Sequence, residues 1–145
     1  ILWFADVESY RMTGSAISGS NYVRRATGPV PAKILKTLDD LKREGKIDIQ
    51  NPVAQFMPRE FHSCEEPDTR IFTEDELELV SAITHEICKN YTAAEISEIT
   101  HDDIWKAAQE GEEIPLSATL VSEAGDYRDE IMTWADAAVH AHSHR

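Results

Sequence analysis

Apolar residues at helical spacing open the chain. Trp3, Val7 and Tyr10 recur at intervals of four and three residues, which is the spacing of one face of an α-helix. Gly14 follows at the position where a left-handed cap ends many helices. The pattern therefore predicts a helix that ends at Gly14. Since the sequence starts within this pattern and without methionine, we expect the natural N-terminal start to lie upstream of Ile1.

The next stretch favours extended structure followed by a break. Residues 17–23 mix turn formers with β-branched and aromatic side chains, a composition typical of a short irregular hairpin or an extended loop. A Gly-Pro-Val-Pro sequence follows at 28–31, and a proline cannot donate a backbone hydrogen bond. We interpret Gly28, Pro29 and Pro31 as a rigid structural turn, with Pro31 as the first residue of the following helix.

A second amphipathic helix is predicted between Pro31 and Gly45. Its apolar residues share one stripe, whereas lysine and aspartate occupy other positions. The stripe consists of Ile34, Leu35, Leu38 and Leu41. Residues 47–49 then alternate like a strand, but three prolines make residues 50–70 irregular. A loop or a small β element is expected there.

Two capping boxes predict the starts of two closely joined helices. Thr73 with Glu76 precedes a long apolar stripe, and Thr92 with Glu95 precedes a shorter one. The first stripe contains Leu77, Val80, Ile83, Ile87 and Tyr91, and the second contains Ile96 and Ile99. Because the two helices follow each other so closely, the chain must turn sharply between them.

Two further signals complete the pattern. Thr100 with Asp103 predicts a cap for a third short segment that ends near Gly111. A stripe near the C-terminus predicts a final helix. Its members are Tyr127, Ile131, Trp134 and Ala138. Together the elements predict a mainly α (α+β) fold, a compact bundle of about five to six helices with a small β-hairpin or short β element.

Size and composition fit one ordinary soluble domain. The chain has 145 residues, of which 41% are hydrophobic and 28% charged. No apolar run approaches the ~18 residues that a membrane span needs, and no signal-peptide pattern opens the sequence. Two cysteines are too few for a disulfide scaffold. We expect a cytoplasmic protein with reduced thiols and no membrane partner.

The charge is unevenly distributed. The formal net charge is −13, but residues 1–59 carry nine basic and six acidic residues, whereas residues 60–145 carry five basic and 21 acidic residues. The overall acidity argues against a general nucleic-acid binder. The acidic half is either a well-solvated surface or a face that steers a basic partner.

The motifs of the common enzyme classes are missing from the sequence. There is no nucleophile elbow, phosphate-binding loop, dinucleotide-binding glycine motif or zinc-protease motif. His85 and Glu86 begin the last of these, but Lys89 stands where its second histidine would be. We expect a protein without enzymatic activity and without a cofactor.

One constellation has the ligand set of a closed zinc site. His62, Cys64, His85 and Cys88 offer two imidazoles and two thiolates. Against this hypothesis, one residue separates the first pair, and Cys88 also fits the apolar stripe beside Ile87. We therefore expect no bound metal, and a small zinc-binding interaction module stays an alternative. Three C-terminal histidines are expected to be solvated. They are His140, His142 and His144.

One basic patch has an aromatic neighbour. It consists of Arg24 and Arg25, with Tyr22 nearby and Lys33 and Lys36 on the following helix. Such a patch can contact phosphate, but it is small and no recognition helix accompanies it. A solvated face is favoured, so nucleic-acid binding through this domain is not expected. A DNA-binding transcriptional regulator stays an alternative.

An ordered succession of short motifs gives the chain a family resemblance. The motifs are Trp3-Phe4-Ala5-Asp6, Gly14 with Ile17-Ser18-Gly19, Tyr22, Gly28-Pro29-Val30-Pro31, Phe72-Thr73 before Glu76-Leu77, and Thr100-His101 followed by Trp105. The chain thereby resembles the Panacea domain of the SocA-like antitoxin family, formerly a domain of unknown function. The resemblance covers residues 1–116. It predicts one antitoxin domain there, with a C-terminal loop and helix over 117–145 packed on the same domain.

The resemblance implies an antitoxin of a bacterial or phage toxin-antitoxin system. Such a protein neutralises a cognate protein toxin by direct binding and is not an enzyme. A role as a proteolytic adaptor, with a cellular protease as a second partner, stays open, and so does homo-oligomerisation. The resemblance leaves the identity of the toxin and the binding surface undefined.

The candidate site combines the basic patch with the last family motif. Its residues, assigned to toxin binding or to a structural motif, are Tyr22, Arg24, Arg25, His101, Asp103 and Trp105. Family members usually carry an acidic residue, and often a proline, before the tryptophan, whereas this chain has Asp103 and Ile104 there. Trp105 is either a core plug or an exposed anchor for a partner. Its apolar neighbours Ala107 and Ala108 favour the plug.

Overall fold

A computed structural model of the chain describes residues 1–50 and 59–126. Within these ranges six helices and five short strands are present, so the predicted mainly α fold with a small β element is confirmed. The helices are α1 (Leu2–Thr13), α2 (Ile34–Arg43), α3 (Glu74–Asn90), α4 (Ala93–Ile99), α5 (Asp103–Ala107) and α6 (Ser117–Asp126). The strands are β1 (Tyr22–Arg25), β2 (Gly28–Pro31), β3 (Ile47–Gln50), β4 (Glu60–Ser63) and β5 (Glu113–Ile114).

Helix α1 is the central element of the domain. It packs against α3, α6 and β2, and it ends where the sequence predicts. Gly14 has φ 78°, and its amide donates to the Tyr10 carbonyl at 2.8 Å. This left-handed conformation costs glycine little because it has no side chain. The buried face of α1 comprises Trp3, Ala5, Asp6, Val7 and Ser9.

The strands form two small antiparallel sheets. In the first, β1 lies between β2 and β5, and Tyr22 is opposite Pro31 on one side and Ile114 on the other. In the second, β3 pairs with β4 and Ile47 is opposite Ser63. The strand predicted at residues 47–49 is therefore confirmed, whereas β5 was not predicted. Two residues are too short a stretch to show an alternating pattern.

The prediction of a turn at Gly28–Pro31, with a helix beginning at Pro31, is wrong. These residues form strand β2, and α2 begins at Ile34 with Lys33 as its N-cap residue. The amide of Ala32 donates to the Asn21 carbonyl at 2.8 Å. Since bonded and non-bonded pairs alternate along an antiparallel ladder, both prolines occupy non-bonded positions. An edge strand tolerates proline at such positions because no ladder bond is lost.

Both predicted capping boxes are present. The Glu76 amide donates to Thr73 Oγ1 at 3.3 Å, while the Thr73 amide donates to the Glu76 carboxylate at 2.8 Å. Thr92 and Glu95 repeat this reciprocal pair at the start of α4. Each box satisfies backbone donors that the first turn of a helix would otherwise leave free. The two helix starts are therefore fixed by local sequence.

The predicted cap of the third segment is wrong by two residues. Asp102 is the N-cap residue of α5, and its Oδ1 accepts from the Trp105 amide at 2.8 Å. Thr100 instead ends α4, where its amide donates to the Ile96 carbonyl at 3.3 Å. A residue that still belongs to one helix end cannot also supply the extended backbone of the next N-cap. Helix α5 ends at Ala107, earlier than predicted.

The core is small and lies between α1, the three-stranded sheet and α5. Its buried members are Trp3, Val7, Tyr22 and Ile114. The edge of the Trp3 ring meets the Tyr22 ring at a centroid distance of 5.0 Å and an interplanar angle of 72°. Trp105 and Leu116 pack on this cluster from outside. The predicted stripe from Tyr127 to Ala138 lies outside the described residues.

Candidate interaction site

Two groups of predicted site residues, far apart in sequence, meet in the structure. The His101 and Trp105 rings stack at a centroid distance of 3.8 Å and an angle of 20°. The Arg24 guanidinium carbon lies 4.0 Å from the Trp105 ring centroid. The imidazole and the guanidinium therefore both lie against the Trp105 ring system. We call this arrangement the Arg24–Trp105–His101 stack.

Strand β1 and helix α5 fix the tryptophan in the stack. Trp105 Nε1 donates to the Arg25 carbonyl at 3.0 Å, and the Trp105 amide is held by the N-cap carboxylate of Asp102. An indole face also attracts a guanidinium electrostatically. The side chain of Trp105 is therefore positioned by a ring stack, a cation and one hydrogen bond, while the Asp102 cap holds its backbone amide.

Glu110 supplies the negative charge beside the stack. Its carboxylate lies 3.8 Å from Arg24 Nη1 and 3.4 Å from Arg25 Nη1. The Glu110 side chain is about half exposed, so these ion pairs are screened by water and contribute little stability. These ion pairs mainly reduce the local positive charge, because one carboxylate partly compensates two guanidinium groups.

The stack is only partly covered and leaves polar atoms unsatisfied. The Arg24 side chain is 23% exposed and that of His101 is 18% exposed. Arg24 Nε and His101 Nε2 are buried and have no hydrogen-bond partner within the described residues. Buried polar atoms without a partner cost free energy. The stack is thus held by ring contacts more than by satisfied hydrogen bonds.

Asp103 and Arg25 lie outside the stack. The Asp103 side chain is 97% exposed and pairs with Lys106 at 3.6 Å. Arg25 is exposed, and it contributes its backbone carbonyl to Trp105 rather than its side chain. Of the six predicted residues, the structure therefore joins Arg24, His101 and Trp105 in one arrangement.

Tyr22 lies in the core, so it does not form a surface patch with the arginines. It is 1% exposed, and its hydroxyl donates to Asp6 Oδ2 at 2.7 Å. Asp6, also 1% exposed, accepts in addition from the Ser18 amide at 2.8 Å and from the Ser18 hydroxyl. Burial first, and then the hydrogen bond to Asp6, raise the pKa of Tyr22 far above its usual value. We call these three residues the Asp6–Tyr22–Ser18 cluster.

Asp6 belongs to the first family motif, but the sequence analysis predicts no structural or functional role for it. A signal was available, because Asp6 follows Trp3 by three residues and precedes Tyr10 by four. A carboxylate at that spacing lies on the apolar face of the helix. A buried carboxylate needs hydrogen-bond donors, and the sequence could not show that Ser18 and Tyr22 supply them.

Gly28 connects the hairpin to the end of α4, next to the stack. Its φ is 118°, and a Cβ atom there would collide with Thr100 Oγ1. The Ser97 hydroxyl also donates to the Thr27 carbonyl at 3.1 Å. Only a residue without a side chain fits this close approach and this backbone conformation. Gly28 is therefore structurally required, although it belongs to a strand.

The four residues of the alternative zinc site do not form a metal-binding group in the structure. His62 lies on β4 and Cys64 follows it, whereas His85 and Cys88 lie on α3, and both thiols are free and exposed. In residues 1–50 and 59–126, no three or more His, Cys, Asp or Glu side chains are grouped so that they could hold a metal ion. His140, His142 and His144 lie outside the described residues.

On α2, the Lys36 residue of the basic patch also has an acidic neighbour. Lys36 Nζ lies 3.3 Å from Asp40 on the same helix, and the Lys36 and Arg43 side chains lower the pKa of Asp40 below its usual value.

None of the helices in the described part of the chain is long and apolar enough to cross a bilayer.

Comparison with known protein families identifies the class of protein. The family model described as antitoxin SocA-like, Panacea domain, matches residues 1–106. The chain therefore belongs to the SocA-like antitoxin family with a Panacea domain. The matched range contains the stack, the buried cluster and Gly28. Comparisons with curated proteins and with solved structures found no match. The family supports an antitoxin role in general, and with it the binding of a toxin partner.

Proposed function

We propose that this protein is the antitoxin of a bacterial or phage toxin-antitoxin system and neutralises one cognate protein toxin in the cytoplasm by direct binding. The observation that carries the proposal is the family match over residues 1–106. The binding requires no catalysis, because a stable complex that covers the functional surface of the toxin is sufficient. The protein accordingly acts without a cofactor and without enzymatic activity.

The Arg24–Trp105–His101 stack supports a contact with the toxin. Tryptophan and arginine are enriched among the residues that dominate binding energies at interfaces. Here Trp105 is already held by the Asp102 cap and by the Arg25 carbonyl, and the Arg24 guanidinium lies against its ring. A side chain that is fixed before binding loses less conformational entropy when the complex forms. Trp105 thus packs on the core cluster and remains partly exposed, so it is also available to a partner.

Co-expression tests the proposal. Each open reading frame adjacent to the gene is expressed with and without this chain, and growth and complex formation are measured. We expect one neighbouring protein to arrest growth, to be neutralised by this chain and to co-purify with it. The proposal is wrong if no neighbouring protein is neutralised and none forms a complex.

Two finer alternatives give different outcomes in the same system. If the chain acts as a proteolytic adaptor, neutralisation disappears in a host that lacks the protease and the toxin level stays constant. If it is a DNA-binding regulator, the purified chain shifts its own promoter in a gel. Regulation by this domain has less support, since Glu110 lies against both Arg24 and Arg25 and leaves less free positive charge for phosphate.

A further inference from the structure

An apolar groove lies between α1, α3 and α4. Its volume is about 300 Å³, which is at the small end for ligand clefts. Seven aliphatic and aromatic side chains line it. They are Phe4, Val7, Ile83, Ile87, Tyr91, Ile96 and Ile99. The groove is separate from the stack, and none of the predicted site residues lines it.

The groove is open and its walls are fixed. Tyr91 and Ile99 on its border are 41% and 49% exposed, although both are large apolar residues. The capping boxes at Thr73 and Thr92 set the starts of α3 and α4, and α3 packs directly on α1. A preformed apolar groove between helices is the usual receptor for one face of an amphipathic helix.

Negative charge surrounds the groove. Two carboxylates, Glu8 and Glu86, and one guanidinium, Arg11, stand on its border, and α4 behind it carries two further acidic residues and no basic one. The basic residue on the border, Arg11, pairs with Glu8 at 3.2 Å. Glu86 accepts from the Asn90 amide group at 2.7 Å. The surroundings of this apolar surface therefore favour a partner with positive charge.

We infer that this groove docks an amphipathic helix of the toxin, with apolar residues on one side and lysine or arginine flanking them. The apolar side of that helix enters between α1, α3 and α4, and its cations face Glu8 and Glu86. The inference rests on the proposed function and adds to it the docking surface and the chemistry of the docked segment.

Charge distinguishes this occupant from two other candidates, residues 127–145 and a second copy of the chain. Residues 127–145 of this chain carry three acidic and two basic residues, so they bring no net positive charge to the groove. A second copy of the chain has a net charge of −13, and like charges across an interface are unfavourable. A basic segment of another protein is the occupant that fits both the apolar floor and the acidic border.

Two pairs of matched variants test the inference with the toxin identified by co-expression. Ile99→Lys places a charge in the groove, and its control Leu35→Lys changes an apolar residue that is 70% exposed on α2. Glu86→Lys reverses a charge on the border, and its control Glu78→Lys makes the same change on α3 away from the groove. We expect each groove variant to raise the Kd for the toxin about tenfold or more, and each control about twofold or less.

All four variants change exposed positions, and their melting temperatures verify that the fold is retained. If the wild-type chain neutralises the toxin and the groove variants bind it as tightly as their controls, the inference is wrong and the proposed function stands. If the wild-type chain neutralises no neighbouring protein, the proposed function fails, and the groove is then tested with two designed helical peptides.

Both peptides carry leucine on one face, and the other face carries lysine in one and glutamate in the other. We expect the lysine peptide to bind the wild-type chain and Leu35→Lys, and to lose most of its binding to Ile99→Lys. The glutamate peptide should not bind. Equal binding of the two peptides, or binding of neither, would contradict the inference. Sedimentation provides a further test, because a wild-type dimer that Ile99→Lys converts to a monomer would assign the groove to a second copy.

Discussion

Tyr22 and Arg24 are two residues apart on β1, yet their side chains serve two very different arrangements. Tyr22 belongs to the Asp6–Tyr22–Ser18 cluster, which is buried and in which the carboxylate accepts three hydrogen bonds. Arg24 belongs to the Arg24–Trp105–His101 stack, which is partly exposed and leaves two buried nitrogen atoms without a partner in the described residues. One short strand thus connects a buried cluster whose carboxylate is fully hydrogen-bonded to a partly exposed stack that contains these two unsatisfied buried nitrogen atoms.

The difference shows where stability and recognition are located. Removing a member of the buried cluster leaves its hydrogen-bond partners unsatisfied in a water-free environment, which strongly lowers the free energy of unfolding. Removing a member of the stack loses ring and cation contacts at a site that water can reach, which costs less. We therefore expect variants of the cluster to unfold the protein, and variants of the stack to affect toxin binding more than stability.

The largest effect is expected for Asp6→Ala. The change removes the acceptor of the Tyr22 hydroxyl and of both Ser18 donors, and the loss in unfolding free energy should be about 4 kcal/mol. Chemical denaturation measures it. Asp103→Ala is the control, since that side chain is 97% exposed. Equal stability of the two variants would show that the buried carboxylate is not structurally important.

Gly28→Val should be the next most destabilising change. Strain at φ 118° and the collision with Thr100 together predict a loss of about 3 kcal/mol. Gly19→Val tests the contribution of the collision, because Gly19 also has positive φ but has open space around it. We expect that control to lose clearly less stability. Similar losses in both would mean that backbone strain alone determines the cost.

Trp105→Ala removes the centre of the stack and its bond to the Arg25 carbonyl. Because the ring is only partly buried, the expected loss of stability is about 2 kcal/mol, less than for a fully buried tryptophan. Toxin affinity measured on the folded variant should fall at least about tenfold. A stability loss with unchanged toxin affinity would identify Trp105 as a core plug alone. His101→Ala, the companion variant, should lose less on both measurements.

The buried cluster should make stability sensitive to high pH. The pKa of Tyr22 is raised in the folded protein, so the unfolded chain loses this proton at a lower pH than the folded one. The contribution is intact below the ordinary tyrosine value near pH ~10, and above it should decrease by about 1.4 kcal/mol per pH unit. Tyr22→Phe should have a correspondingly shallower decline in alkaline denaturation. Parallel curves would contradict the assignment.

The smallest change in stability is expected for Arg24→Met, which keeps an apolar stem against the Trp105 ring. Loss of the cation over the ring should cost about 1 kcal/mol or less. The charge of Glu110 then faces Arg25 alone, so toxin binding should respond more than the melting temperature does. A large drop in melting temperature without any change in affinity would show that the stack stabilises the fold and does not contribute to toxin binding.

Local signals in the sequence were sufficient for a large part of the fold. The capping boxes at Thr73 and Thr92 and the left-handed end at Gly14 each depend on residues within four positions of one another, and the apolar stripe of α2 lies within a single helix. Such signals act through hydrogen bonds and contacts inside a single helix. The ordered motifs also indicated the family, which the match over residues 1–106 confirmed.

Only the tertiary structure decided how these elements are used. Pro29 and Pro31 belong to a strand because β1 supplies its partner and the pairing places them at non-bonded positions. Trp105 and the Arg25 carbonyl are 80 residues apart in sequence, and no local pattern can show that they meet. Asp6 needed the same kind of information, since its donors lie 12 and 16 residues away. Local chemistry determines helix starts and ends over a few residues, whereas buried polar groups are satisfied across the folded chain.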